Sequence, residues 1–103
     1  MTLARLRKKI DQLDRRLVRM LNVRARAAQQ IGRLKRRTQM AIYEPQRERV
    51  IQGNVRRASR GPLSHRQLAG IYRRIIRAMR ELQRTIILSS SAKRRGGAQS
   101  NKR

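Results

Sequence analysis

The sequence predicts an all-α protein: a three-helix unit over residues 1–88 with one long N-terminal helix, followed by a disordered basic tail over residues 89–103. Three observations predict it. The chain has two Tyr but no Trp and no Phe, so its core falls to Leu, Ile, Val, Met and Ala, which suits helix packing better than a sandwich or barrel. Apolar residues recur at alternating steps of three and four, the period of a helix face. The breaks in that pattern carry helix-stop and helix-start residues. At 103 residues, one folding unit is expected.

Leu3, Leu6, Ile10, Leu13, Leu17 and Met20, then Arg24, then Ala27, Ile31 and Leu34 define the first helix, which runs to about Thr38. No Pro interrupts it, and Gly32 is its only weak helix former. At 1.5 Å per residue it spans about 50 Å, whereas a compact chain of this size has a radius of gyration of about 13 Å. The helix therefore overhangs any core the remaining residues can supply, and a second chain is expected to cover it. Thr38 to Tyr43 reads as a connection. Glu44 and Pro45 then supply an N-cap region with proline in the first turn. The second helix carries Val50, Ile51, Val55 and Ala58 and stops at Ser59-Arg60-Gly61-Pro62. Ser64 and Gln67 form a capping-box pattern for the third helix, whose inner stripe is Leu68, Ile71, Tyr72, Ile75, Ile76, Met79, Leu82, Ile86 and Ile87. From Ser89 on, SSSAKRRGGAQSNKR has no apolar period, the basis for reading it as a tail. No internal repeat is visible.

Composition excludes several functions. With no Cys, disulfides and Cys-based zinc sites are excluded, and the lone His65, placed in a loop, cannot build a His-rich metal site. MTLARLRKKI lacks the uninterrupted apolar stretch of a signal peptide, and no apolar run approaches the roughly 18 to 20 residues of a membrane span. A soluble, cytoplasmic protein without metal or cofactor is expected. The formal charge of +24, from 29 Lys+Arg against 5 Asp+Glu, predicts salt-sensitive attraction to nucleic acid or other polyanions. That attraction is nonspecific, because no aromatic residues alternate with the arginines as stacking platforms and no zinc-finger or ribonucleoprotein motif is present.

Against that background the segment YEPQRE, residues 43–48, is unusual in holding two of the five acids, Glu44 and Glu48. Other polar residues stand where apolar ones are expected. Arg24 occupies a seam position of the long helix; alone, it reads as a stem that packs and a head that reaches water. Lys35 lies 11 residues on, about 16 Å along the axis and nearly on the same face, so two long cations can lean toward one small anion. Gln83 interrupts the inner face of the third helix and, taken singly, reads as a boundary residue rather than a ligand. Arg47 and Glu48 open the second helix, where an acid offsets the macrodipole with no functional role required.

Together, the order and spacing of these residues resemble the all-helical class of chorismate mutase. The similarity runs from about Leu3 to Gln83 through LRKKIDQLDRRLVRMLNVR, IGRLK, YEPQRERV, GPLS and IYRRIIRAMRELQ. The resemblance implies an intertwined homodimer of three-helix subunits, with chorismate as substrate. Chorismate would be converted to prephenate by an intramolecular Claisen rearrangement in aromatic amino-acid biosynthesis, without metal, cofactor or covalent intermediate. It further implies that Glu48 binds the substrate hydroxyl, with Glu44 at an acidic or polar position near it. Arg24 and Arg47 match cations that hold substrate carboxylate, and Lys35 and Gln83 match donors to the ether oxygen whose bond breaks. Arg7 matches a carboxylate-binding arginine contributed by the other subunit. Helix geometry agrees on that point, since Arg7 and Lys35 stand about 42 Å apart on one helix and cannot share a small ligand within one chain.

Two features depart from the family pattern. Met79 replaces what is often a small hydroxyl residue beside a carboxylate. The outward helix positions Arg5, Lys8, Arg15, Arg19, Arg26, Arg33 and Arg36 are almost uniformly cationic, forgoing the mixed-sign pairs usual on helix surfaces. The resulting expectation is a chorismate mutase with a supercharged surface, in which the remaining acids, Glu44 and Glu48 at the site and Asp11, Asp14 and Glu81 on the helices, are those that function or internal pairing retains. The competing reading is a helical polycation that binds nucleic acid or an acidic scaffold. The intact set Arg7, Arg24, Lys35, Glu44, Arg47, Glu48 and Gln83 favours the enzyme.

Overall fold

The computed structural model describes residues 1–96. Three helices follow in order: α1 (Leu3–Thr38), α2 (Pro45–Ala58) and α3 (His65–Gly96). α1 starts where Thr2, in extended conformation, accepts the Arg5 amide on its hydroxyl at 3.1 Å. It ends where Gln39 turns into the left-handed region at φ 58° and the Met40 amide donates to the Lys35 carbonyl at 2.9 Å. Lys35, Arg36 and Arg37 fill its last turn, where cations offset the macrodipole. α2 begins at Pro45 with Glu44 at the N-cap, although the Glu44 side chain makes no capping hydrogen bond.

The capping box forms as its spacing predicts. The Ser64 amide donates to Gln67 Oε1 and the Gln67 amide donates to Ser64 Oγ, both at 3.0 Å. Ahead of it, Gly61 takes φ 80°, a conformation that favours glycine. His65 is the first residue of α3 rather than part of the preceding loop.

One boundary is corrected. The basic tail was expected to begin at Ser89, but α3 continues to Gly96. No Pro or Gly falls between Ser89 and Arg95, so no breaker stops a helix already nucleated upstream. Residues 97–103 of the expected tail lie outside the described residues.

α3 is the central element: it packs on both α1 and α2, which do not pack on each other. The chain is elongated, with a radius of gyration of 18.0 Å and extents of 59 × 33 × 16 Å. Its apolar core is small: among the described residues, Ala28, Ile76 and Met79 are the buried hydrophobic ones. On α1 the face against α3 is Ala28, Gly32 and Lys35, one step around from the Ala27–Ile31–Leu34 seam. That seam is left uncovered: Leu17 is 59% exposed, Met20 63% and Leu34 49%. Within one chain, α3 thus covers only the smaller of the two faces of the long helix.

Gly32 marks the closest approach of α1 and α3. A Cβ there would stand 3.1 Å from Gln83 Cα, a backbone atom that cannot rotate aside. A Cβ at Gly53 would meet only the flexible Arg57 guanidinium, at 3.5 Å. Gly53→Ala should therefore stabilise by about 1 kcal/mol through helix propensity. Gly32→Ala should destabilise by about 1 kcal/mol, because overpacking at a backbone contact outweighs the same gain. Thermal unfolding of the two variants checks this, and a stabilised Gly32→Ala would show that the helices can separate without cost.

Candidate active site

The close crossing at Gly32 sets up the site one turn later. Lys35 follows on the same face of α1 and is 4% exposed; Gln83, opposite on α3, is 8% exposed. An ammonium withdrawn from water needs acceptors for its three hydrogens, and Lys35 has three. Its Nζ donates to the Ile42 carbonyl at 2.9 Å and to Gln83 Oε1 at 3.0 Å, and pairs with Glu44 Oε1 at 2.8 Å. These partners come from the α1–α2 connection, α3 and the N-cap of α2. Accepting through Oε1 turns the Gln83 amide nitrogen away from the ammonium, leaving a donor oriented elsewhere.

A second ion pair lies beside the first. Arg80 Nε stands 2.9 Å from Glu48 Oε2, and both side chains are partly buried. The Nε atom is sealed from water and its hydrogen is not directed at an acceptor, so the contact is ionic rather than an aligned hydrogen bond. The Arg80 guanidinium carbon also sits 5.0 Å from the centre of the Tyr43 ring, within cation–π range.

These groups border a cavity of about 340 Å³ between α1, α2 and α3. Arg24, Lys35, Glu44, Arg47, Glu48 and Gln83 all line it, on an apolar wall that includes Ile31, Ile51, Ile76 and Met79. Four cations, counting Arg80, face two carboxylates there, an excess of two positive charges that suits a dianion. A larger cavity of about 790 Å³ between α2 and α3 shares Glu48, Ile76 and Arg80 with the first. It is the bigger space but not the better site, since Arg24, Lys35, Arg47 and Gln83 border only the smaller one.

Six of the seven residues singled out from the sequence therefore meet in one cavity. The seventh, Arg7, is exposed on the N-terminal half of α1 and borders neither cavity. Gln83 is not a boundary residue but a buried partner of Lys35. Met79 is buried and apolar, lining the wall without offering a hydrogen-bonding group. Asp11, Asp14 and Glu81 make no ion pair among the described residues.

Sequence reasoning missed Arg80 and the Ile42 carbonyl. Arg80 precedes Gln83 by three residues and so shares its helix face, a signal obscured by the many arginines around it. The Ile42 carbonyl is backbone and carries no residue-type signal. Among the described residues no three of His, Cys, Asp and Glu stand together as metal ligands, and no helix is long and apolar enough to cross a membrane.

Comparison with known proteins shows what the chain as a whole is similar to. The family model for chorismate mutase type II matches residues 6–84. A bifunctional chorismate mutase/prephenate dehydratase of Aquifex aeolicus is 38% identical over 88 residues, covering 82% of this chain and 24% of that protein. Proteins of the same description in Pseudomonas aeruginosa and Neisseria gonorrhoeae are each 30% identical, covering 79% and 81% of this chain and 24% and 22% of theirs. The chain spans about a quarter of the length of these relatives.

Proposed function

The chain belongs to the chorismate mutase type II family, and on that footing we propose that it converts chorismate to prephenate by an intramolecular Claisen rearrangement. The observation that carries the reading is the convergence of Arg24, Lys35, Arg47, Glu48 and Gln83 on one cavity of about 340 Å³. We take residues 1–88 as the catalytic unit, with the family match over 6–84 as support.

The chemistry follows from the residue types. An extended dicarboxylate must be held as a compact chair, and the Arg24 and Arg47 guanidinium forks fix carboxylates in orientation as well as position. As the ether bond lengthens, negative charge grows on its oxygen. The Lys35 ammonium and the Gln83 amide nitrogen stabilise that charge more in the transition state than in the substrate. In the resting site all three Lys35 hydrogens are taken, so the ether oxygen must replace one acceptor. Glu44, whose side chain is 38% exposed, is the acceptor best able to turn to water. Glu48 receives the substrate hydroxyl.

The functional unit in this reading is an intertwined homodimer. The uncovered seam of α1 supports it, since Leu3, Leu6, Ile10, Leu13 and Leu17 are all exposed in a single chain. An antiparallel partner helix both covers that seam and carries Arg7 across to the distant cavity. The cationic surface is then an addition to the fold rather than part of the site: Arg5, Lys8, Arg15, Arg19, Arg26 and Arg33 are all exposed. Such a surface binds nucleic acid nonspecifically as a side effect.

Purified protein, washed free of nucleic acid at raised salt, should deplete chorismate and form prephenate. Lys35→Ala and Gln83→Ala should lower kcat, the former by about 100-fold to 1000-fold, while Arg24→Ala should also raise KM because its carboxylate is present throughout the reaction. Steady-state kinetics separate the two patterns; activity that vanished in step with nucleic-acid release would favour the polycation reading instead.

The shared site has its own test. Arg7→Ala and Lys35→Ala, each nearly inactive, should regain about a quarter of wild-type activity when unfolded and refolded as an equal mixture. Half the dimers are then mixed, and each holds one intact site. No recovery in a sample shown to contain mixed dimers would mean that Arg7 does not cross.

A further inference from the structure

We infer that Arg80 is a positioning residue for the reaction, acting through Glu48, and that the Tyr43 ring holds Arg80 in that role. The inference rests on the proposed activity and extends it to two residues outside the family-matched site set.

Three observations carry it. Arg80 and Glu48 border both cavities, so their ion pair is part of the partition between them. Tyr43 borders only the larger cavity, and the Arg80 guanidinium lies over its ring. The ring thereby holds the cationic head from the larger cavity's side while Arg80 still borders the substrate cavity. The third observation is the incomplete contact itself: Nε is sealed from water, 2.9 Å from Glu48 Oε2, yet its hydrogen lacks an aligned acceptor.

A glutamate carboxylate turns freely about its last torsion. Arg80 engages Oε2 and so restricts that rotation, leaving Oε1 for the substrate hydroxyl. A small turn of the carboxylate that meets the hydroxyl also brings Oε2 into line with the waiting Nε hydrogen. Binding the hydroxyl thus completes a hydrogen bond that the empty site leaves unmade. The permanent charge of Arg80 has a second effect: it offsets the repulsion between Glu48 and a doubly negative substrate. Charge would remain in a lysine, but the guanidinium that lies over Tyr43 and brings its Nε to the carboxylate would not.

The test compares chorismate with its analogue lacking the ring hydroxyl, which keeps the same allyl vinyl ether and both carboxylates. The full-length chain and its Arg80→Leu, Arg80→Lys, Glu48→Gln and Arg80→Leu/Glu48→Gln variants are assayed with both compounds, with thermal unfolding run alongside. Arg80→Leu keeps the apolar stem and should lower the ratio of kcat/KM for chorismate over the analogue by about tenfold, toward the Glu48→Gln value. In the Glu48→Gln background the same change should leave that ratio within about twofold, since the group it acts through is gone. If Arg80→Leu does not fold, Arg80→Lys decides the matter, with a fall of about threefold in the ratio.

A ratio unchanged in Arg80→Leu, or in Arg80→Lys where only that variant folds, overturns the inference. In that case Arg80 packs or contacts a carboxylate, and both compounds suffer alike. An equal fall in the ratio with Glu48 already replaced overturns it as well. A wild-type chain that leaves chorismate unchanged sinks the proposed activity and this role together. Turnover of both compounds with the ratio intact in the variant removes the role of Arg80 alone.

Discussion

A buried ammonium is the constraint around which this subunit is arranged. Lys35 is 4% exposed, and withdrawing such a charge from water is costly unless every hydrogen finds an acceptor. Its three acceptors come from three different parts of the chain: the Ile42 carbonyl, the Glu44 carboxylate and the Gln83 amide oxygen. Placing them fixes the end of α1 against the connection, the start of α2 and the middle of α3 at once. Because α1 and α2 do not pack on each other, the Lys35–Glu44 pair is one of the few direct ties between them. The absence of a side chain at Gly32 is the steric condition for all of this, since it lets the α3 backbone come close enough for Gln83 to reach Lys35.

The same hub explains which acids matter. In a chain of 29 cations a carboxylate has many possible partners, yet the ion pairs among the described residues are Lys35–Glu44 and Arg80–Glu48. Both acids come from the YEPQRE segment, and both pairs border the cavity. Exposed acids such as Asp11 and Asp14 gain little from a fixed partner, because water and salt screen the attraction. At the cavity wall, partial burial strengthens the attraction and makes a missing partner costly. The site therefore holds organised charge of both signs, whereas the surface holds a largely uniform field.

Much of this was legible in the sequence because it depends on local rules. Helix boundaries followed from Glu44-Pro45, Gly61-Pro62 and the Ser64–Gln67 box, each of which acts within a few residues. The eleven-residue step from Arg24 to Lys35 placed both on one cavity because helix geometry is regular. Other features depend on tertiary approach and were not legible. Ala28, Gly32 and Lys35 rather than the more apolar Ala27, Ile31 and Leu34 face α3, which hydrophobicity alone does not predict, since small side chains permit close contact without looking like a core. Arg80 was hidden by composition: one arginine among many signals nothing until the fold sets it against Glu48 and Tyr43. The end of α3 was misjudged because a helix can continue without an apolar face.

The central claim is that the Lys35 ammonium exchanges a partner in the protein for one in the substrate, and nitrogen NMR of that group tests it most directly. The chain has five lysines, and only a buried, fully hydrogen-bonded ammonium is expected to exchange its protons slowly enough to give a sharp signal. With lysine labelled at Nζ, such a signal should be present in the empty protein and absent from Lys35→Met. Saturation with a stable bicyclic ether dicarboxylate that mimics the chair transition state should shift it, as an ether oxygen replaces a carboxylate in its shell. A Lys35 signal that stays in place while the same dicarboxylate is shown to be bound would contradict the account, leaving Lys35 as a structural tie with no part in the chemistry.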